Sequence, residues 1–157
     1  MKSTTGYSGI QIGLHWLVAI LIVLAWFTGG GAEQALKTVE NGGAAGFVPH
    51  VAFGVAILLL VVLRLGVRLT RGAPEAPGAS GSLLARAATW GHRLIYLLMI
   101  AVPLGGASTW FLGLDAGDIH GLFANVLMVV VLGHVAMSLY HHYVLKDGLI
   151  RRMMRAG

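Results

Sequence analysis

The sequence predicts an all-α integral membrane protein: a four-helix transmembrane bundle with both termini cytoplasmic. Three observations lead there. Hydrophobic residues make up 57% of the 157 residues and charged residues only 11%, a balance that a soluble domain of this size could not cover with polar surface. Four apolar segments, each about 18 residues or longer, recur along the chain and are long enough to cross a bilayer as helices. The basic residues, finally, gather at one set of segment ends.

The spans are expected at about 10–28, 47–69, 83–111 and 119–145, within a single domain covering 1–157. Lys2 before an apolar run and the GGA at Gly30–Ala32 resemble a signal peptide. The run from Ile10 to Phe27 is longer than a usual signal core and contains His15, Trp16 and Trp26, so it reads as a retained first span. The connections GGGAEQALKTVENGGAAG, TRGAPEAPGASGS and GLDAGD are rich in Gly with acidic, Ser or Pro punctuation, and each is expected to be a loop. Short connections make neighbouring spans antiparallel.

Arg64, Arg68, Arg71, Arg86 and Arg93 flank the second connection, and Lys146, Arg151, Arg152 and Arg155 follow the last span. The first and third connections together hold only Lys37. By the positive-inside rule the second connection and both termini lie in the cytoplasm of a bacterial inner (plasma) membrane protein. The net charge of +5 therefore reads as membrane orientation, with the lipid bilayer and no nucleic acid as partner. With no cysteine, disulfides, thiolate metal sites, iron-sulfur clusters and thioether-linked haem are excluded.

Histidines carry the functional signal. His120 and His134 are fourteen residues apart in the last span, so they share a helix face and differ in depth by roughly 21 Å. Polar groups at two depths inside a membrane point to function. Helix direction then sorts the others: His50 lies near the outer face with His120, while His15, His134 and His92 fall on the inner side. Two neutral imidazoles from facing helices are what a low-spin b-type haem needs at its two axial positions. Gly54, Gly121 and Gly133 leave room for a flat ring beside these histidines, or let helices approach closely. Arg64 and Arg68 share the face of His50 at the cytoplasmic end, placed either to neutralise propionates of an inner haem or to snorkel to lipid phosphates, the second role being favoured for Arg68. His141, about two turns beyond His134, sits at the inner mouth beside His142, Tyr143 and Lys146, a position suited to a quinone carbonyl.

The segments YSGIQIGLHWLVA, HVAFGVAILLLVVLRLGVRL, GHRLIYLLMIAVPLGG and HGLFANVLMVVVLGHVAMSLYHHYVLKDGLIRRM resemble the four helices of the bacterial cytochrome b561 family. The resemblance implies two haem b groups, with His50 and His120 as the outer axial ligands to haem iron, His15 and His134 as the inner ones, and His92 as a non-ligand. It implies electron exchange with the membrane quinone pool and, in superoxide oxidase-like members, transfer of an electron from periplasmic superoxide to ubiquinone. A small periplasmic protein is the other candidate donor or acceptor, because the outer connections carry Glu33, Glu40, Asp115 and Asp118 against Lys37. The expected function is thus a diheme, quinone-linked oxidoreductase or a passive electron-transfer subunit of a larger complex. A histidine-lined metal or proton transporter is the alternative from another class, disfavoured because no Asp or Glu lies in any expected span.

Overall fold

The computed structural model describes residues 6–72, 74 and 83–157. It is all-helical, with α1 at Gly9–Glu40, α2 at Pro49–Arg71, α3 at Leu83–Leu112 and α4 at Gly117–Tyr140. A π-helical turn, His141–Leu145, continues α4, and a short 3-10 turn follows at Ile150–Met153. All four long helices are long and apolar enough to span a membrane. Most of the second connection lies outside the described residues.

Helix α1 departs from expectation. The stretch expected to be a loop from Gly29 is helical through Glu40. Loss of hydropathy marked the edge of the apolar span, whereas the helix ends only where its backbone finds a terminator. Beyond the three glycines, AEQALKTVE is made almost entirely of residues with good helix propensity, which continue a helix already nucleated in the span. Glu33 and Lys37 pair one turn apart at 2.6 Å, an exposed contact that adds little. The stop comes at Asn41, whose Nδ2 donates to the Lys37 carbonyl at 2.7 Å, and at Gly42, which takes φ 81°, a conformation glycine adopts without a Cβ clash. The other end opens on a capping box: the Ser8 hydroxyl accepts from the Gln11 N–H, and the Ser8 N–H donates to Gln11 Oε1.

Pro49 opens α2 in the first turn, where its missing N–H costs nothing, and Gly72 at φ 79° closes it. Pro103 sits inside α3 and interrupts its hydrogen-bond ladder next to Val102. The chain termini meet at one end of the bundle: the Gly157 N–H donates to the Tyr7 carbonyl, and Trp16 Nε1 donates to the Met153 carbonyl at 2.8 Å.

The packed core is small and lies at mid-height. It consists of Val18 and Ile22 from α1, Ile57 and Val61 from α2, Leu98, Met99 and Val102 from α3, and Leu127 from α4. Large apolar side chains such as Phe27, Leu59, Val129 and Leu132 point outward instead. In lipid that surface carries no penalty, so packing rather than hydrophobic burial holds the helices together. The core residues form a plug, with partly buried polar side chains above and below it.

Candidate functional site

Each helix contributes one residue above the plug and one below it, fourteen positions apart: His15 and Gly29 on α1, His50 and Arg64 on α2, His92 and Gly106 on α3, His120 and His134 on α4. Fourteen residues come within about 40° of four full turns, so both members of each pair share a face and are separated by roughly 21 Å. The core residues Val18, Ile22, Ile57, Val61, Met99, Val102 and Leu127 lie between them on the same faces. The bundle therefore has a near station, at the end where the termini meet, and a far station at the other.

At the far station the His50 and His120 rings stand 5.8 Å apart, nearly perpendicular at 85°. The Nδ1 of His50 is 2.8 Å from the Ala25 carbonyl, and that of His120 is 2.9 Å from the Val102 carbonyl. A carbonyl only accepts, so each Nδ1 carries the proton and each Nε2 keeps its lone pair. Such an anchor fixes the tautomer and orientation of a metal-ligating imidazole. The other two helices supply glycines. A Cβ on Gly106 would fall 2.9 Å from His120 Cε1, and one on Gly29 would fall 3.8 Å from His50 Cε1.

Three imidazoles meet at the near station. His15 and His134 have centroids 6.5 Å apart at 67°, while His92 lies 5.1 Å from His134 and anchors its Nδ1 on the Ala88 carbonyl of its own helix at 2.7 Å. His15 Nδ1 is buried without a hydrogen-bond partner. Arg64 and Arg68 both lie over the Tyr96 ring, at 5.6 and 5.9 Å. Arg68 thus packs half-buried against Tyr96 beside Arg64.

A metal held at about 2 Å by two imidazoles on opposite sides of it sets their centroids roughly 6 Å apart. The His50–His120 and His15–His134 pairs meet that test, and the His92–His134 pair is too close. Among the described residues no three His, Asp or Glu side chains converge to hold an ion. The spacing thus suits a metal that brings its own equatorial ligands in an apolar macrocycle.

The family model described as prokaryotic cytochrome b561 matches residues 6–156. The chain belongs to the prokaryotic cytochrome b561 family. It is 38% identical over 159 residues to cytochrome b562 of Cereibacter sphaeroides, covering 99% of each chain. It is 33% identical over 180 residues to a probable superoxide oxidase of Yersinia pestis, covering 94% of this chain and 95% of that one. Cytochrome b561 homolog 1 of Escherichia coli matches at 24% over 178 residues, covering 94% and 96%. Cytochrome b561 family membership makes this a multi-pass bacterial membrane protein of electron transfer and implies b-type haem.

A third feature lies just past the near station. The π-helical turn places His141 Nδ1 2.5 Å from Asp147 Oδ2, and Asp147 Oδ1 accepts the Leu149 N–H at 3.0 Å. Burial works against the Asp147 carboxylate, but the bonds from His141 and Leu149 and the charge of Arg152 outweigh it and hold its pKa below the ordinary value. Sequence reasoning singled out His141 and missed Asp147, whose approach depends on a chain reversal through Lys146 at φ 55° and Gly148 at φ 74°. It also missed Gly29, Gly106 and Tyr96. Of the glycines it named, Gly54 and Gly121 are half-buried, Gly133 is exposed, and none has a neighbour within Cβ contact distance.

Proposed function

We propose that this cytochrome holds two haem b groups, one at each station, and carries electrons between a donor on the far side of the membrane and the ubiquinone pool at the near side. The haem supplies reversible one-electron chemistry with no open coordination position, which suits transfer rather than oxygen activation. His50 and His120 would hold the haem iron at the far site, and His15 and His134 at the near site. The observation that carries this reading is the pair of imidazole spacings, 5.8 and 6.5 Å, at two stations split by an apolar plug.

The protein's own residues do the rest. Ala25 and Val102 carbonyls orient the far histidines and raise their basicity as ligands. Gly29 and Gly106 leave room for the His50 and His120 rings themselves. Arg64, braced on Tyr96, puts a positive charge by the near site, where it would pair with a propionate. His141 meets a quinone oxygen at the lipid boundary, and Asp147 backs it. With the termini and the basic second connection in the cytoplasm, the near station is cytoplasmic and the far one periplasmic.

The 33% identical relative bears the name probable superoxide oxidase, and superoxide is one donor this reading admits. Glu33, Glu40, Asp115 and Asp118, set against Lys37 at the far end, favour a small periplasmic protein of positive charge as the second. Purified chain in liposomes containing ubiquinone decides between them. Quinol formation from superoxide generated outside supports the first; quinol formation only with a reduced basic cytochrome supports the second. No quinol with either would contradict the reading of the chain as a quinone-linked oxidoreductase in its own right.

A further inference from the structure

We infer that Asp147 is the positioning residue of the quinone site, holding His141 so that its Nε2 gives and takes the proton at a quinone oxygen. This rests on the quinone reading above and deepens it. The geometry separates the two partners by environment: the His141 side chain is 13% exposed and the Asp147 side chain 21%. The ring is thus the more enclosed of the pair, and the carboxylate is the side nearer water. Both Asp147 oxygens are engaged, Oδ2 by His141 Nδ1 and Oδ1 by the Leu149 N–H. The carboxylate therefore has one orientation, set by the backbone.

The backbone was folded to make this contact. The N–H of Lys146 and that of Asp147 both reach the His141 carbonyl, so the chain curls back over the residue whose ring it then binds. Lys146 adopts a left-handed conformation to do so, as the one non-glycine among the described residues with positive φ. Such conformations cost energy and persist where the surroundings enforce them. The π-helical turn that starts at His141 is itself a local irregularity of a kind found often at functional sites.

A carboxylate on Nδ1 leaves Nε2 as the working nitrogen, and it stabilises the ring when both nitrogens carry protons. Neighbouring Tyr140, Val144 and Leu145 are all exposed apolar surface, a face that lipid would cover. A lipid-soluble quinone approaches from that side and meets Nε2. Reduction of the quinone to quinol takes up two electrons, supplied by the family's electron-transfer chemistry, and two protons. In each proton step the His141 Nε2–H bond breaks as an O–H bond forms on the quinone. The ring becomes neutral with its proton kept on Nδ1 against Asp147, and Nε2 takes a new proton from water at the membrane boundary before the next step.

The test uses haem-loaded full-length protein, reduced anaerobically, freed of reductant and mixed with ubiquinone-1 in a stopped-flow instrument. Asp147→Asn should slow maximal haem oxidation at least about tenfold while the half-saturating quinone concentration stays within about twofold, and Asp147→Glu should recover most of the rate. ¹⁵N-histidine NMR of the reduced protein should show the neutral His141 ring, the form left after proton donation, as the Nδ1–H tautomer in wild type and as the Nε2–H tautomer in Asp147→Asn. A variant equal to wild type in rate, or altered only in half-saturation without rescue by Glu, overturns the inference alone. A wild-type haem that no quinone oxidises overturns the quinone reading and this inference with it.

Discussion

The two stations are built on one plan and furnished differently. Each draws one residue from every helix, fourteen positions from its counterpart, but the far station has two imidazoles and two glycines where the near one has three imidazoles and an arginine. At the far station both histidines are pinned by carbonyls of other helices. At the near station His15 Nδ1 has no partner, His134 has a second imidazole at 5.1 Å, and Arg64 rests on Tyr96. The contrast teaches what each end is for. A site whose imidazoles are both pinned suits a cofactor that only exchanges electrons. A site with charge and spare proton-bearing rings suits one whose electrons leave together with protons.

That comparison breaks most sharply at Gly106. A Val there places branched carbon where His120 Cε1 already stands, so Gly106→Val should abolish haem binding at the far station and leave the near one loaded. Haem quantified per chain checks it, falling from two to about one. The plug should respond without preference. Ile57→Ala opens a cavity between the stations and should cost about 2 kcal/mol, read as a lower melting temperature in detergent with both haem signals lost together. His92→Ala sharpens the near side: if the ring only supports His134, both haems are retained and only the near one shifts in potential or spectrum.

The smallest effect concerns Asp147. Its folded pKa lies below the ordinary 3.8, so the contact contributes stability above that value and loses it as the pH falls through the lower, folded pKa. Hydrogen exchange at the Leu149 amide should therefore speed up only in strong acid, while the helices hold.

Much of this was legible in the sequence, for physical reasons that also mark the limit. Long apolar runs give membrane helices almost unavoidably, and fourteen-residue spacing put His120 with His134, and His50 with Arg64, on common faces. The same spacing on α1 and α3 ends at Gly29 and Gly106, and a glycine carries no sign of what it faces. The extension of α1 to Glu40 was hidden because hydropathy reports where lipid ends, not where a helix does. Asp147 stood beyond the last span, and only the left-handed turn at Lys146 brings it back to His141. Contacts made by irregular backbone leave no periodic trace.

The central claim, two bis-histidine stations separated by an apolar plug, is tested most directly by a reduced-minus-oxidised visible spectrum with haem quantified per chain. It should be run on wild type, His50→Ala and His134→Ala. The account predicts two low-spin b-type haems in wild type and about one in each variant, with different bands surviving in the two. Loss of both haems in either variant, or no haem in wild type expressed with ample haem supply, would contradict it.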